Sequence, residues 1–129
     1  MRRMSVVFDS SALLAIIFQE DGSEAAERRL SGGIVSAVNT SEVIARLVDF
    51  GTSGEDARNA LLNFGLDIRP FDTVLAVAAG QLRGLTRERG LSLGDRACIA
   101  LAIREQSGIV TADRAWAGLD LDVDVELIR

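Results

Sequence analysis

Four carboxylates stand in settings where an acid could do chemistry: Asp9 in "VVFDSSALLA", Glu42 in "NTSEVIARL", Asp95 in "LSLGDRACIALAI" and Asp113 in "VTADRAW". The chain has no His, no Tyr and no Lys, and all fourteen of its basic residues are Arg. That composition removes imidazole acid–base catalysis, serine–histidine triads, the lysine of a phosphate-binding loop and Schiff-base chemistry. An enzyme built from this alphabet must work with carboxylates. Without imidazole, carboxylates serve either as acid/base pairs of the glycoside-hydrolysing kind or as ligands of a hard divalent cation such as Mg²⁺ or Mn²⁺. Zinc, which favours Cys and His ligands, is disfavoured.

Each acid also has an ordinary structural explanation. Asp9 and Asp113 precede helical segments and read as N-caps. Glu42 follows Asn39 by three residues in a capping-box pattern, and Arg46 lies one turn on for a helix ion pair. Asp95 follows Ser92 by three residues, again in a capping-box pattern, but it shares a helix face with Ile99 and Ala102. A carboxylate on an apolar face is costly unless it is paired, hydrogen-bonded or metal-bound. What capping does not explain is a shared location: three of the acids follow predicted strands or the loops leaving them, and Asp95 begins a helix. In a parallel sheet such positions lie along one edge, where open α/β folds bind ligands.

The elements that would place them there alternate. "MSVVF", "IVSAV", "LDIRPF", the start of "GIVTADRAWAG" and the period-two "LDVDVELI" read as strands. "SSALLAIIF", "SEAAERRL", "NTSEVIARLVDFG", "SGEDARNALLNFG", one long segment "DTVLAVAAGQLRGLTRERG" and "LSLGDRACIALAI" read as helices, several closed by Gly. Interleaved strands and helices predict an α/β fold, a central and mostly parallel sheet with helices on both faces. Asp72 reads as the cap of its helix, and the run Asp120, Asp122, Asp124, Glu126 as a solvated strand face. Trp116 and the five Phe read as core or rim, and Arg83, Arg87 and Arg89 as an exposed helical face that could touch an RNA backbone.

A length of 129 residues fits one domain, residues 1–129, with a core that needs no staples. The longest apolar run is far shorter than a membrane span, and no signal-like segment is evident, so a cytoplasmic protein without membrane contact is expected. The lone Cys98 reads as a small buried hydrophobe. A net charge of −5 argues against holding nucleic acid by bulk electrostatics, but not against a nuclease whose acids are first occupied by cations.

Taken in order, "VVFDSSALLA", "SAVNTSEVIARL", "LSLGDRACIALA" and "VTADRAW" resemble the PIN-domain ribonucleases, and more narrowly the VapC-type toxins of toxin–antitoxin pairs. The resemblance spans essentially the whole chain. It implies a PIN-like three-layer α/β/α sandwich and an Mg²⁺- or Mn²⁺-dependent endoribonuclease. It also implies frequent homodimers and inhibition by a cognate VapB-like antitoxin that covers the acidic site. The family's acidic quartet falls on Asp9, Glu42, Asp95 and Asp113, with Ser11 and Thr111 as supporting hydroxyls. Close carboxylates raise one another's pKa and are relieved by one or two divalent ions, which suits phosphodiester hydrolysis. On this reading Asp9, Asp95 and Asp113 are the principal ligands and Glu42 a ligand or an orienter of water.

Other families fit less well. A haloacid-dehalogenase-type phosphatase needs an acid where Ser11 stands and a lysine, and a phosphoacceptor receiver domain also needs a lysine. A non-catalytic α/β interaction module, its acids serving only as helix caps, is the remaining alternative.

Overall fold

The computed structural model describes residues 5–129. Five short strands, β1 (Val6–Phe8), β2 (Ile34–Ser36), β3 (Asp67–Arg69), β4 (Gly108–Thr111) and β5 (Val125–Leu127), form one sheet. Their order is β3-β2-β1-β4-β5 and every pairing is parallel. The chain thus starts in the middle, builds outward through β2 and β3, and returns to the other side of β1 for β4. The gap between β1 and β4 is the point where the winding reverses, and the crevice beyond the strand ends there is the natural ligand position of an open parallel sheet.

The central strands are apolar on both faces. Val6, Phe8, Val35 and Val110 join one core cluster with Leu13, Ile16, Val43, Leu47 and Leu61. These last five come from α1 (Ser10–Ile17), α3 (Ala37–Asp49) and α4 (Gly54–Leu62). Val7, Ile34 and Ile109 point the other way, into a cluster with Leu75 and Ala79 of α5 (Thr73–Gln81), Cys98, Ile99 and Leu101 of α7 (Leu93–Glu105), and Trp116. Alternate residues of each strand therefore feed opposite layers, which makes the expected α/β/α sandwich. A short α2 (Ser23–Glu27) packs beside α1.

Three local expectations change. The third helix-forming stretch begins at Ala37, not at the "NTSE" motif: Ser36, the last residue of β2, is the cap, its Oγ accepting from the Val38 amide at 3.2 Å. The strand "IVSAV" is correspondingly shorter, since a hydroxyl at the strand's end lets the helix start with no loop. The long segment after Asp72 divides into α5, α6 (Arg83–Thr86) and a 3-10 turn at Arg87–Arg89. Thr86 is buried and its hydroxyl donates to the Leu82 carbonyl at 2.9 Å, a back-bond that favours bending over continuation. In "LDVDVELI" only Val125–Leu127 pairs as strand.

Asp72 caps α5 as expected, its Oδ1 accepting from the Leu75 amide at 3.0 Å. Cys98 and Trp116 are buried core residues. Arg89 is spent within the fold, donating to the carbonyls of Ala115 and Ala117. Among the described residues no helix is long and apolar enough to cross a membrane.

Candidate acidic nuclease site

The four acids arrive from four parts of the chain and line one open cleft of about 300 Å³, together with Ser10, Ser11, Leu14 and Arg46. Asp9 lies at its floor. Its amide continues the sheet by donating to the Val110 carbonyl at 3.0 Å, and its own carbonyl accepts from Ala12, so its backbone occupies the cap position of α1. Its carboxylate makes no cap bond. It turns across the β1–β4 gap, where Oδ2 accepts from the Ser11 hydroxyl at 2.5 Å and the Thr111 hydroxyl at 2.7 Å.

Those two hydroxyls form a junction between strands. Ser11 Oγ accepts from the Ala112 amide at 2.9 Å, and Thr111 Oγ1 accepts from the Asp113 amide at 3.0 Å. Each hydroxyl has one proton, and both protons are committed to Asp9. The 3.2 Å approach of the two hydroxyl oxygens then follows from two donors meeting at one acceptor. Asp9 is only 3 % exposed and, among the described residues, has no cationic partner. Burial pushes its pKa from 3.8 to about 6; the Ser11 and Thr111 hydroxyls pull it down, and the charge of Asp95 adds to the rise.

Asp95 sits where its capping box puts it. Ser92 Oγ accepts from the Asp95 amide at 3.2 Å, and Asp95 Oδ2 accepts from the Ser92 amide at 2.9 Å. Only one carboxylate oxygen is used there, and the half-buried side chain also faces the cleft. Burial raises its pKa, the Ser92 contacts lower it, and the charges of Asp113 and Glu42 raise it. Asp113 caps the 3-10 turn Arg114–Trp116, Oδ1 accepting from the Ala115 amide at 2.9 Å.

Glu42 departs from the capping-box expectation. It lies in the second turn of α3, and its carboxylate is held by Ser10, whose hydroxyl donates to Oε1 at 2.6 Å, and by Asn39, whose Nδ2 donates to the same oxygen at 3.0 Å. Asn39 is fully buried and also donates toward the Gly94 carbonyl at 3.2 Å, which ties α3 to the start of α7. A Cβ on Gly94 would overlap the Glu42 carboxylate, so that carboxylate can lie against α7 here only because residue 94 has no side chain. Nor does Glu42 form the expected ion pair with Arg46; among the described residues Arg46 pairs with no acid and instead lies over the Phe50 ring, 5.3 Å from its centroid.

Sequence reasoning thus missed Ser10, Asn39 and Gly94 as site residues. Ser10 was visible as the neighbour of Asp9, but Asn39 and Gly94 act through a helix–helix approach that no local pattern encodes. Burial also pushes the Cys98 thiol well up, with the charges of Asp9, Asp95 and Glu42 adding to it, which places an inert sulfur behind the acids.

The family model for the PIN domain matches residues 6–120, nearly the whole chain. The chain belongs to the PIN-domain family. Members of that family are generally nucleases, and the cleft described above sits in this PIN domain at the winding reversal of its sheet. Among solved structures, this PIN domain is similar to a chain of a toxin–antitoxin complex from Klebsiella pneumoniae (19 % identity, TM-score 0.72, 97 % of this chain and 98 % of that one). It is similar to a chain of VapBC2 from Rickettsia felis bound to a promoter DNA fragment (19 %, 0.73, 96 % and 98 %). A third likeness is to VapBC-5 from Mycobacterium tuberculosis (24 %, 0.60, 98 % and 99 %). No curated protein matches the chain significantly.

The donors fit a hard divalent ion: they are carboxylate and hydroxyl oxygens, and a buried acid without a cation is what a metal relieves. Among the described residues no three of the acids are already drawn together to ion-holding distance, so binding would require side-chain rotation on a framework that is otherwise built.

Proposed function

We propose that this PIN domain is a divalent-metal-dependent endoribonuclease and the toxin of a toxin–antitoxin pair, with the whole chain as one catalytic unit. The observation that carries the reading is Asp9: buried at the floor of an acid-lined cleft, it has two hydroxyls turned onto it and, among the described residues, no cation beside it. Capping accounts for one oxygen each of Asp95 and Asp113 and for none of Asp9 or Glu42.

In this reading Asp9, Asp95 and Asp113 hold Mg²⁺ or Mn²⁺, and Glu42 joins them as a ligand or orients water. A bound divalent ion would neutralise the acids and supply the Lewis acidity that phosphodiester hydrolysis needs. Ser11 and Thr111 fix the rotamer of Asp9 and keep it ionisable despite burial. Asn39 and Ser10 hold Glu42 on the α7 side of the cleft. The toxin role and a VapB-like antitoxin partner are supported by likeness to toxin–antitoxin complexes; an antitoxin that covers the cleft, a homodimer and a cytoplasmic location are part of the same proposal.

The test is cleavage of RNA by the purified protein with Mg²⁺ or Mn²⁺ and with EDTA. Cleavage in the metals, loss in EDTA and loss in Asp9→Asn and Asp95→Asn are expected. Metal-independent cleavage, or full activity in both variants, overturns the assignment.

A further inference from the structure

Two helices leave the acid cleft side by side, and their residues match rung by rung. Along α1 and onto its C-cap the sequence places Ser10, Leu14 and Phe18 at successive i, i+4 positions; along α3 and onto its C-cap it places Glu42, Arg46 and Phe50 at the same spacing. The first rung is polar and closed, Ser10 donating to Glu42 at 2.6 Å. Leu14 and Arg46 of the second rung line the cleft. The third rung is aromatic: the Phe18 and Phe50 rings meet at 5.0 Å between centroids with a 52° tilt. Eight helical residues rise about 12 Å, so this rung lies about that far from the acids.

The aromatic rung is open to solvent, Phe18 at 38 % and Phe50 at 65 % exposure. An exposed aromatic pair with a guanidinium over one ring is not explained by the core. Among the described residues Arg46 is the only basic residue lining the cleft, and it is not consumed by Glu42, whose carboxylate is already held by Ser10 and Asn39.

We propose that Arg46 and Phe50, backed by Phe18, form the track for the single-stranded substrate next to the cleavage site. The Arg46 guanidinium takes a flanking phosphate and the Phe50 face stacks a base. This rests on the nuclease reading above and adds the residues that hold the strand. The order along the track suits a polynucleotide. Acids neutralised by cations take the scissile phosphate, a fixed cation takes the next anionic group, and an aromatic face follows within reach of a base. Stacking on aromatic rings with help from Arg is sequence-tolerant and suits a chain whose net charge of −5 offers no general attraction for nucleic acid.

The experiment measures binding of a fluorescent single-stranded RNA to Asp95→Asn protein with Mg²⁺ across a NaCl series, alone and combined with Arg46→Ala, Arg46→Lys or Phe50→Leu. Arg46→Ala is expected to weaken binding about tenfold and to flatten the slope of log affinity against log salt by about 0.7, the signature of one lost phosphate contact on a single strand. Arg46→Lys should keep the slope. Phe50→Leu should weaken binding about fivefold or more with the slope unchanged. In the Asp95-intact protein both Arg46→Ala and Phe50→Leu should raise KM more than they lower kcat. Unchanged affinity and slope in Arg46→Ala, while the parent protein cleaves RNA, overturns the track and leaves the nuclease intact. A parent that cleaves no RNA overturns both. RNA binding unaltered by either substitution, with loss of binding to an antitoxin peptide instead, makes this face a protein-docking surface and overturns the proposal.

Discussion

Replacing Asp9 by Asn should stabilise the metal-free protein at neutral pH while abolishing its response to metal. The unfolded chain ionises this group above its ordinary value of 3.8, whereas the fold, by burying it, delays ionisation to about 6. Ionisation therefore opposes folding. The cost is absent below pH 3.8, grows between 3.8 and about 6, and is constant above. At about 1.36 kcal/mol per pH unit the full cost is about 3 kcal/mol, of which about half is recovered at pH 5. Asp95, raised chiefly by burial, adds in the same direction. With an unfolding entropy near 2.1 cal/mol/K per residue, 3 kcal/mol corresponds to about 10 °C in Tm for a chain of this length.

Thermal unfolding in EDTA checks this directly. Wild type is expected to melt about 5 °C higher at pH 5 than at pH 7.5. Asp9→Asn should melt about 5–10 °C above wild type at pH 7.5 and depend less on pH, because Asn still accepts from Ser11 and Thr111 without carrying charge. Excess Mn²⁺ at pH 7.5 should raise wild type by an amount set by linkage, about 2.7 kcal/mol at one hundred times Kd, and leave Asp9→Asn unmoved. Wild type that melts lower on acidification from pH 7.5 to 5, or Asp9→Asn that melts below wild type in EDTA at pH 7.5, refutes the argument that Asp9 is an uncompensated buried charge.

Gly94→Ala should cut RNA cleavage at least tenfold with less than about 1 kcal/mol change in stability. Its methyl displaces the Glu42 carboxylate while helix propensity offsets the crowding; a double-mutant cycle with Glu42→Ala, read by thermal melts, should show coupling above about 0.5 kcal/mol. Thr111→Val removes one of the two hydroxyls that hold Asp9 ionised, so the pH midpoint of Mn²⁺-dependent stabilisation should rise by about one pH unit, whereas Thr111→Ser should keep it. An unchanged midpoint in the valine variant would remove Thr111 from the site.

Much of the site's chemistry is written in residue types. The absence of His and Lys leaves carboxylates as the available catalytic groups, and Asp9, Asp95 and Asp113 stand beside element boundaries that strand and helix patterns reveal. The interleaving of strands and helices was enough to expect a parallel sheet covered on both faces, and Val6 and Phe8 do face one layer while Val7 faces the other. The capping box of Asp95 was equally legible, since Ser92 and Asp95 are three residues apart and bond within one turn.

Local pattern misled at Glu42 for a physical reason. "NTSE" satisfies the spacing of a capping box, but Ser36 reaches the free amides first, and the helix it starts carries Asn39 inward to the Gly94 carbonyl. Asp9 occupies a cap position in its backbone alone, and whether its carboxylate turns to the helix or across the sheet depends on Thr111, 102 residues away in the chain. Sequence by itself offered four carboxylates as candidates and placed Asp9, Asp95 and Asp113 at strand and helix ends, because propensity, capping and periodicity are short-range. Only the tertiary structure decided that Asp9 is buried beneath two hydroxyls, that Glu42 rests on a glycine of another helix, and that Arg46 turns away from Glu42 to an exposed ring. Those outcomes depend on the strand order that brings β4 beside β1 and on how closely α3 approaches α7.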